Sequence, residues 1–297
     1  MARMPFPSGD GARPALLTAD GARWYCSTAS APARACPTPL RHRPNRIVML
    51  SLTIVTPTYN EADNIGELLR RLATAAAAEP DVLVRSVIVD DSSPDGTADR
   101  ARALGAELST GTFSVEVLSR AAKEGLGAAY LWAFEQVLGR EDPPTHILQM
   151  DADLSHDPAY LSDFLREVRA GADLVVASRY IPGGGTPDWT LDRKILSRGG
   201  NLYSRALLGS RLTDWTGGFN LFSRELLERI HFETVDATGY GFQIALKHRA
   251  SVAARRVREI PIVFLDRTEG TSKIPGNTML RSLLLVVRIR FTRDSSR

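Results

Sequence analysis

Two aspartates near the middle of the chain have the types and spacing that most directly indicate chemistry. Asp151 and Asp153 follow HILQM, residues 146–150, a run that reads as a buried strand. Side chains two residues apart on an extended chain leave it on the same side, so both carboxylates can converge on one point. Oxygen ligands without His or Cys suit Mg²⁺ or Mn²⁺, whose other ligands would be water and a substrate diphosphate. The pair therefore predicts a metal site that binds a diphosphate.

A purely structural interpretation of these residues stays open. Asp-x-Asp occurs often by chance, and Asp153 could simply cap a turn. Asp90 and Asp91 precede Ser-Ser-Pro, so they could be turn residues or ligand-binding residues. Several cations would each, taken alone, be solvated surface residues. Their occurrence together with the aspartates favours an anionic substrate; they are Arg179, Arg193, Arg267 and Lys273.

Alternating strands and helices must position these residues. Runs rich in β-branched residues predict strands at 51–57, 84–89, 114–120, 146–150 and 172–180. Helices are predicted between them, with Asn60 as N-cap of the first, and Ser93 with Pro94 opening the second. This alternation predicts an α/β fold, with a mostly parallel sheet and helices on both faces. Ligands are expected beyond the carboxyl ends of the strands, where PTYNE, DDSSPDGT and DAD lie.

The alternation stops after Ile181. A Gly/Pro loop, IPGGGTPDWT, precedes a basic amphipathic helix at 191–209, a strand-like run at 256–267 and a last helix that ends near Phe291. We therefore predict that residues 49–275 form one folded domain. Residues 276–297 are predicted to form an amphipathic helix and tail that associate with a membrane, although this helix could instead pack on the sheet.

The first 48 residues differ from the rest in composition. They contain seven Arg, two Asp and seven Pro without a helix or strand period, and we predict a disordered N-terminal extension, unless translation begins at Met49. Because the basic excess lies there, the pI near 9.0 does not indicate a nucleic-acid partner. Both cysteines, Cys26 and Cys36, also lie there, so no disulfide or thiolate metal site is expected in the folded domain. No window reaches the roughly 18 apolar residues of a membrane span.

A set of motifs resembles one enzyme family. TPTYNEADNI, VIVDDSSPDGT, KEGLGAAY, MDADLSHDP, ASRY, LSRGGNLYSR, TGGFNLF and RTEGTSK occur in this order. They resemble the dolichol-phosphate and polyprenol-phosphate mannosyltransferases among the family 2 glycosyltransferases, over about residues 50–291. PTYNE and Asp-x-Asp are shared with many sugar transferases, whereas DDSSPDGT together with RTEGTSK is more specific. The resemblance implies a GT-A fold, a Rossmann-like nucleotide-sugar domain.

The resemblance also implies roles for individual residues. The guanine nucleotide would be held by Pro57, Tyr59, Glu61, Val89 and Asp91. The metal and diphosphate would be bound by Asp151, Ala152 and Asp153, with Arg267 and Lys273 closing over the phosphates. Arg179 would lie near the reacting groups, and Arg193 and Ser197 would receive the acceptor phosphate. Ser155 stands where some relatives have a Gln metal ligand, so we expect it to bind the metal directly or through water.

The implied reaction transfers mannose from GDP-mannose to a polyprenyl or dolichyl phosphate with inversion, giving a lipid-linked donor for glycosylation or envelope glycan assembly. A phosphate monoester has a second pKa of about 6, so the acceptor is a dianion that needs no general base. His156 is accordingly expected to be a turn or packing residue. Alternatives are transfer of glucose or an aminosugar from a UDP-sugar, by relatives that commonly carry C-terminal membrane spans, and a non-catalytic nucleotide-binding regulator. A lipid acceptor implies peripheral attachment at the cytoplasmic face of a membrane, and the sequence leaves open a separate membrane partner.

Overall fold

Seven strands form a single sheet in the order β3-β2-β1-β4-β6-β5-β7. The computed structural model describes residues 49–209, 212–235, 241–265 and 276–291, the side chains of the last range only from residue 283. The predicted extension at 1–48, and also Arg267 and Lys273, lie outside the described residues.

The first half of the fold consists of four strand–helix units. Its elements are β1 (Leu50–Thr58), α1 (Ala62–Ala77), β2 (Val82–Asp90), α2 (Thr97–Leu108), β3 (Phe113–Ser119), α3 (Leu126–Leu138), β4 (His146–Gln149) and α4 (Leu161–Arg169), the last preceded by a 3₁₀ turn at Pro158–Tyr160. Strand β1 pairs in parallel with β2 and β4, and β2 pairs in parallel with β3. The predicted α/β class and the mostly parallel sheet are confirmed.

The second half contains the predicted strand, basic helix, strand-like run and last helix, together with one strand and two helices that the sequence did not indicate. It comprises β5 (Leu174–Ser178), α5 (Leu191–Leu208), β6 (Asn220–Ser223), α6 (Arg224–Arg229), α7 (Gly241–Ala253), β7 (Val257–Pro261) and α8 (Gly276–Phe291). Strand β6 runs antiparallel between β4 and β5, whereas β7 pairs in parallel with β5. Because β6 has only four residues, all buried, its sequence shows no alternation that would predict a strand.

Two predicted helix starts were wrong. Helix α1 begins at Ala62, and Asn60 adopts a left-handed backbone with φ of 60° instead of capping it. Helix α2 begins at Thr97, because Ser93 belongs to a turn that precedes the helix. In this turn the backbone N and the Oγ of Ser93 donate to the Asp90 carboxylate, at 2.9 and 2.6 Å. Asp90 is therefore the turn residue that one of the two interpretations predicted.

Hydrophobic cores cover both faces of the sheet. One core contains Tyr130, Phe134 and Phe242 from α3 and α7, and the other contains side chains of α1, α2 and α4. Alternate residues of β1 enter opposite cores, Val55 the first and Ile54 the second, as a strand with two buried faces requires. The predicted helices on both faces are thereby confirmed. None of the helices within the described ranges is long and apolar enough to cross a bilayer.

Candidate active site

The carboxyl end of β4 carries the Asp-x-Asp motif. The Asp151 side chain is 29% exposed, while Asp153 is buried. Tyr130 Oη donates to Asp151 Oδ1 at 3.2 Å. Burial, and then the Asp151 charge, raise the pKa of Tyr130 well above its usual value, so the phenol stays protonated and donates. Asp151 is thus presented at the surface of the site by a neutral donor from α3.

His156 is a packing residue that also fixes the Asp151 backbone. Its ring stacks on Phe219 with centroids 4.8 Å apart, and its Nδ1 accepts from the backbone N of Asp151 at 2.9 Å. The side chain is 2% exposed. The expectation that His156 packs rather than catalyses agrees with these contacts.

Asp153 closes a turn with Ser155. Ser155 N and Ser155 Oγ both donate to Asp153 Oδ1, at 3.1 and 2.5 Å. Asp153 is therefore a turn residue, as one interpretation predicted. The same turn brings the Asp153 carboxylate and the Ser155 hydroxyl together, so both can still bind a metal. Within the described ranges, no group of three or more His, Cys, Asp or Glu side chains is placed to hold a metal. The oxygens of Asp151, Asp153 and Ser155 are hard donors that fit Mg²⁺ or Mn²⁺ completed by substrate oxygens.

The predicted nucleotide residues meet at the ends of β1 and β2. Pro57 lies opposite Val89 in the sheet register. Tyr59 is 38% exposed, and the Lys123 ammonium lies 3.9 Å from its ring centroid, a contact that the sequence analysis missed although KEGLGAAY contains Lys123. Glu61 Oε2 accepts from Asn64 at the start of α1. The exposed Tyr59 ring is a surface on which a base could stack.

Asp91 forms a buried ion pair rather than an open carboxylate. Arg120 Nη1 donates to Asp91 Oδ1 at 2.8 Å, and both side chains are less than 10% exposed. Burial raises the pKa of Asp91, and the adjacent Arg120 opposes that rise. Arg120 also pairs with Glu124. Asp91 is held by Arg120 at the edge of the predicted nucleotide region.

The carboxyl end of β5 carries a second charged centre. Arg179 Nε and Nη2 donate to the two carboxylate oxygens of Asp214, each at 2.7 Å, and Nη2 also donates to Thr216 Oγ1 at 2.8 Å. Burial would raise the pKa of Asp214, but Arg179, with Lys247, lowers it to about 2. The pair is therefore ionised at neutral pH, and Asp214 fixes the orientation of the Arg179 guanidinium.

Lys247 donates hydrogen bonds to the backbone of the loop that carries Asp214. Its Nζ is fully buried and donates to the backbone oxygens of Asp214 and Gly217, at 2.9 and 2.7 Å. Burial lowers the pKa of Lys247 to about 7, against the attraction of Asp214. Asp214 and Lys247 were not predicted from the sequence. The signal for Asp214 was its place two residues before the TGGFNLF motif, whereas Lys247 resembles an ordinary helix lysine.

Arg193 and Ser197 on α5 lie near Arg179 through shared aromatic neighbours. The Arg193 guanidinium lies 4.0 Å from the Trp189 ring centroid, and that of Arg179 lies 5.2 Å from the same ring. Ser197 Oγ lies 2.6 Å from Tyr180 Oη, one residue beyond Arg179. Trp189 thereby orients two of the predicted acceptor residues.

A groove of about 360 Å³ separates the end of β5 from α5. Arg179 lines it together with Arg198 and Arg205, which lie two helical turns apart on one face of α5. Among the described residues that line the groove there is no carboxylate. The groove is therefore suited to an anion, and the sequence signal for its arginines was their seven-residue spacing.

One loop joins the two charged centres. In residues 214–218, Asp214 and Thr216 bind Arg179, whereas Gly218 lies beside Asp151: a β-carbon on Gly218 would be 3.5 Å from Asp151 Oδ2. The site therefore has carboxylates that could bind a metal diphosphate at one end of a short loop, and an arginine that could bind a second anion at the other end. Such a site can hold two anions and the group transferred between them.

Known proteins resemble this chain in sequence. The family profile described as Glycosyl transferase family 2 matches residues 53–231. The chain is 41% identical over 240 residues to the undecaprenyl-phosphate mannosyltransferase of Micrococcus luteus, covering 81% of this chain and 93% of that relative. It is 42% identical over 234 residues to the polyprenol monophosphomannose synthase of Mycolicibacterium smegmatis, covering 78% and 84%.

Solved structures share the fold at low identity. Glucosyl-3-phosphoglycerate synthase from Mycobacterium tuberculosis, in complex with Mn²⁺, UDP and glucosyl-3-phosphoglycerate, matches with a TM-score of 0.55 and 19% identity over 83% of this chain and 82% of its own. S. aureus TarS in complex with UDP-GlcNAc matches with a TM-score of 0.54 and 17% identity, over 82% of this chain and 68% of its own. The predicted GT-A architecture is confirmed.

Proposed function

We propose that this chain, which belongs to glycosyl transferase family 2, transfers mannose from GDP-mannose to the phosphate of a polyprenol. Two relatives at 41% and 42% identity, named as mannosyltransferase and as monophosphomannose synthase, support mannose and a polyprenyl phosphate as the reactants. GDP as the leaving nucleotide rests on the resemblance of the donor motifs.

The observation that carries the proposal is the loop 214–218 between the two charged centres. It places Asp151 on one side and the Arg179–Asp214 pair on the other. A glycosyl group moving from a diphosphate to a phosphate needs this order: a site for the leaving anion, space for the sugar, and a cation for the attacking anion. A nucleotide-binding regulator would not need the buried, oriented Arg179.

The donor half of the reaction would be handled by the motifs at the ends of β1, β2 and β4. Asp151 and Asp153, with Ser155, would hold Mg²⁺ or Mn²⁺, which when bound offsets the charge that develops on the departing diphosphate. Tyr59 and Lys123 offer a ring and a cation to the nucleotide. Arg267 and Lys273, outside the described residues, are proposed to contact the phosphates.

The acceptor half would use arginines in place of a general base. The lipid phosphate is already a dianion near neutral pH, so its oxygen needs orientation rather than deprotonation. Arg179 is held for this by Asp214, and Arg193 and Ser197 lie nearby. Arg198 and Arg205 extend the positive charge along the groove. Direct attack by the lipid phosphate would invert the configuration at the anomeric carbon.

Purified chain supplied with Mn²⁺ and a polyprenyl phosphate is expected to make a lipid-linked sugar from GDP-mannose much faster than from UDP-glucose. The measurement is transfer of radiolabelled sugar into the organic phase, with each donor at equal concentration. Faster transfer from UDP-glucose would replace the proposed donor by the alternative one, and nucleotide binding without transfer would favour a regulator.

We also propose that α5 and α8 attach the protein to the cytoplasmic surface of a membrane. Leu191 and Ile195 on α5 are 72% and 63% exposed, and Leu284 and Phe291 on α8 are 61% and 76% exposed. Tyr203 Oη donates to the Leu283 backbone oxygen, so the two helices are in contact. Exposed aliphatic side chains beside Lys194, Arg198 and Arg205 suit a helix in the headgroup layer of anionic lipid.

Changing Leu191 and Ile195 together to Glu is expected to weaken vesicle binding about tenfold or more, because two apolar side chains no longer leave water. Binding is measured by co-sedimentation with vesicles containing phosphatidylglycerol, at low and high salt. Val252→Glu is the control, since Val252 is 69% exposed at the end of α7, in another element. Wild-type protein that stays in the supernatant at low salt, or an equal loss in the control, would contradict the attachment.

A further inference from the structure

A buried amide without a hydrogen-bond partner lies beside the Asp-x-Asp motif. Gln243, in the first turn of α7, is 6% exposed, and among the described residues its Nε2 has no hydrogen-bond partner. Leaving a buried N–H donor unpaired is unfavourable, so such a group in a binding site indicates a partner that arrives with the ligand.

Two other buried amides lie beside this donor. Asn220 Nδ2, on β6, donates to Gln243 Oε1 at 3.4 Å and to Gln149 Oε1 at 3.2 Å. With Asn220 Nδ2 donating to the Gln243 oxygen, the Gln243 nitrogen is the end without a partner, and Gln149 Nε2 and Asn220 Oδ1 in the same cluster also have none among the described residues. Gln149 is the last residue of β4, two residues before Asp151. Asn220 therefore links Gln243 to the strand that carries the Asp-x-Asp motif.

The space beside Gly218 is where this donor meets the catalytic carboxylate. A β-carbon built on Gly218 would lie 3.5 Å from Gln243 Nε2, 3.5 Å from Asp151 Oδ2 and 3.5 Å from His156 Cε1. Three side chains from α7, the β4 end and the following turn thus surround one methyl-sized space over a half-buried glycine. Gly218 leaves this space free because it has no side chain.

The position of this space selects the sugar as the ligand. It lies on the loop between Asp151 and Arg179, where the transferred group must be if the leaving diphosphate and the attacking phosphate occupy the two ends. Gln243 is uncharged, and neutral amides suit hydroxyl groups, whereas phosphates are typically bound by Arg and Lys. Arg179 already serves the anion at the other end.

We propose that Gln243 Nε2 donates a hydrogen bond to a hydroxyl group of the donor's hexose, and that Gln243 is thereby a specificity-determining residue for the sugar. The inference rests on the proposed function, because it takes the space between the two charged centres as the sugar site. Glycine is required at position 218 because any side chain would fill the space beside Gln243 Nε2.

Gln243→Met keeps the length of the side chain and removes the donor. It is expected to lower kcat/KM for GDP-mannose about tenfold, since one neutral hydrogen bond is lost in a buried site. The loss should disappear with one member of a panel of GDP-deoxymannoses, the one that lacks the partner hydroxyl, because that substrate has no bond to lose. The affinity for GDP, measured by calorimetry, should not change.

Gly218→Ala provides a second variant whose folding is not in question. The added methyl group meets its neighbours at ordinary contact distance, so the melting temperature should stay near that of the wild type, while kcat/KM for GDP-mannose falls tenfold or more because the sugar is displaced. Ser86→Ala is the control for removing a buried polar atom that has no partner, because Ser86 Oγ is such an atom but lies within β2, away from Asp151. This variant should keep the wild-type kcat/KM.

The outcomes separate the two proposals. Wild-type protein that transfers no mannose overturns the proposed function. Wild-type activity combined with an unchanged kcat/KM in Gln243→Met, or with the same loss for every deoxymannose, overturns only the role of Gln243. A loss confined to substrates that carry one particular hydroxyl supports it and identifies that hydroxyl.

Discussion

Asp153→Asn is expected to lower kcat for mannose transfer about a hundredfold or more, the usual cost of losing a preoriented group that stabilises developing charge. The change removes one negative charge from the metal-binding pair. The fold should be retained, because Asn Oδ1 can still accept from Ser155 N and Oγ as Asp153 does. The measurement is the rate at saturating donor and acceptor, across a series of Mn²⁺ concentrations, alongside the melting temperature.

A control for this variant lies in the same segment. Asp157 accepts from the Ala159 backbone N and caps a 3₁₀ turn, and Asn is an equally good cap, so Asp157→Asn should keep near-normal activity. Near-normal, metal-dependent transfer by Asp153→Asn would mean that the Asp-x-Asp motif serves only the turn.

Asp214→Asn is expected to lower the free energy of unfolding by about 3 kcal/mol, the scale found when one partner of a buried ion pair is removed. The variant leaves the buried Arg179 cation without its counter-charge. It also removes the carboxylate that opposes the lowering of the Lys247 pKa. Arg179 also loses the two-oxygen contact that orients it, so transfer should fall with stability. Urea unfolding at pH 7 measures the first effect, and acceptor-dependent kcat/KM measures the second.

In acid, below the pH range in which Lys247 titrates, the difference in stability between wild type and Asp214→Asn should shrink as the pH falls. The carboxyl pKa is lowered from 3.8 to about 2 in the folded state, so its contribution to stability is complete above 3.8 and is lost as the pH falls toward 2. The two proteins should therefore converge in stability in strong acid.

A matched surface pair tests the cause of this effect. Asp99, whose side chain is 88% exposed, pairs with Arg102 on the surface of α2, and exposed pairs contribute less than about 1 kcal/mol, so Asp99→Asn should unfold much as the wild type does. Equal stability of Asp214→Asn and wild type at pH 7 would show that the Arg179 pair is not a structural charge centre.

The sequence predicted most of the first half of the fold because its strands alternate regularly with helices and the first two strands are long and apolar. The strands β1 and β2 have nine residues each and are mostly buried, so their character is clear without tertiary information. The four residues of β6 are a different case. They form a strand only because β4 and β5 lie on either side of them, and no local pattern predicts a position between two strands.

Helix starts failed for a related reason. Asn60 and Ser93 are both residues typical of N-caps, but Asn60 donates its backbone N to Ser93 Oγ across two loops. That contact, with the Asp90 turn, moved both helix starts toward the C-terminus. A competing hydrogen bond from a segment 33 residues away cannot be inferred from the local sequence.

The candidate site divides in the same way. The residues Asp151, Asp153 and Arg179 could be predicted because they follow strands whose ends meet at one edge of the sheet, and because the motifs resemble a known family. Lys247 and Gln243 could not be predicted. Both lie on α7, where a lysine and a glutamine are usually solvated, and only the packing of α7 against the loop 214–218 buries them.

The central claim is that a cation held by Asp151 and Asp153 binds the donor diphosphate. Crystals soaked with Mn²⁺ and GDP, with diffraction data recorded at the manganese edge, locate the ion by its anomalous scattering. One strong peak is expected between these two carboxylates and the diphosphate oxygens, and it should be absent in Asp153→Asn. GDP bound with its diphosphate away from both aspartates, or manganese bound elsewhere, would show that Asp151 and Asp153 do not hold the cation.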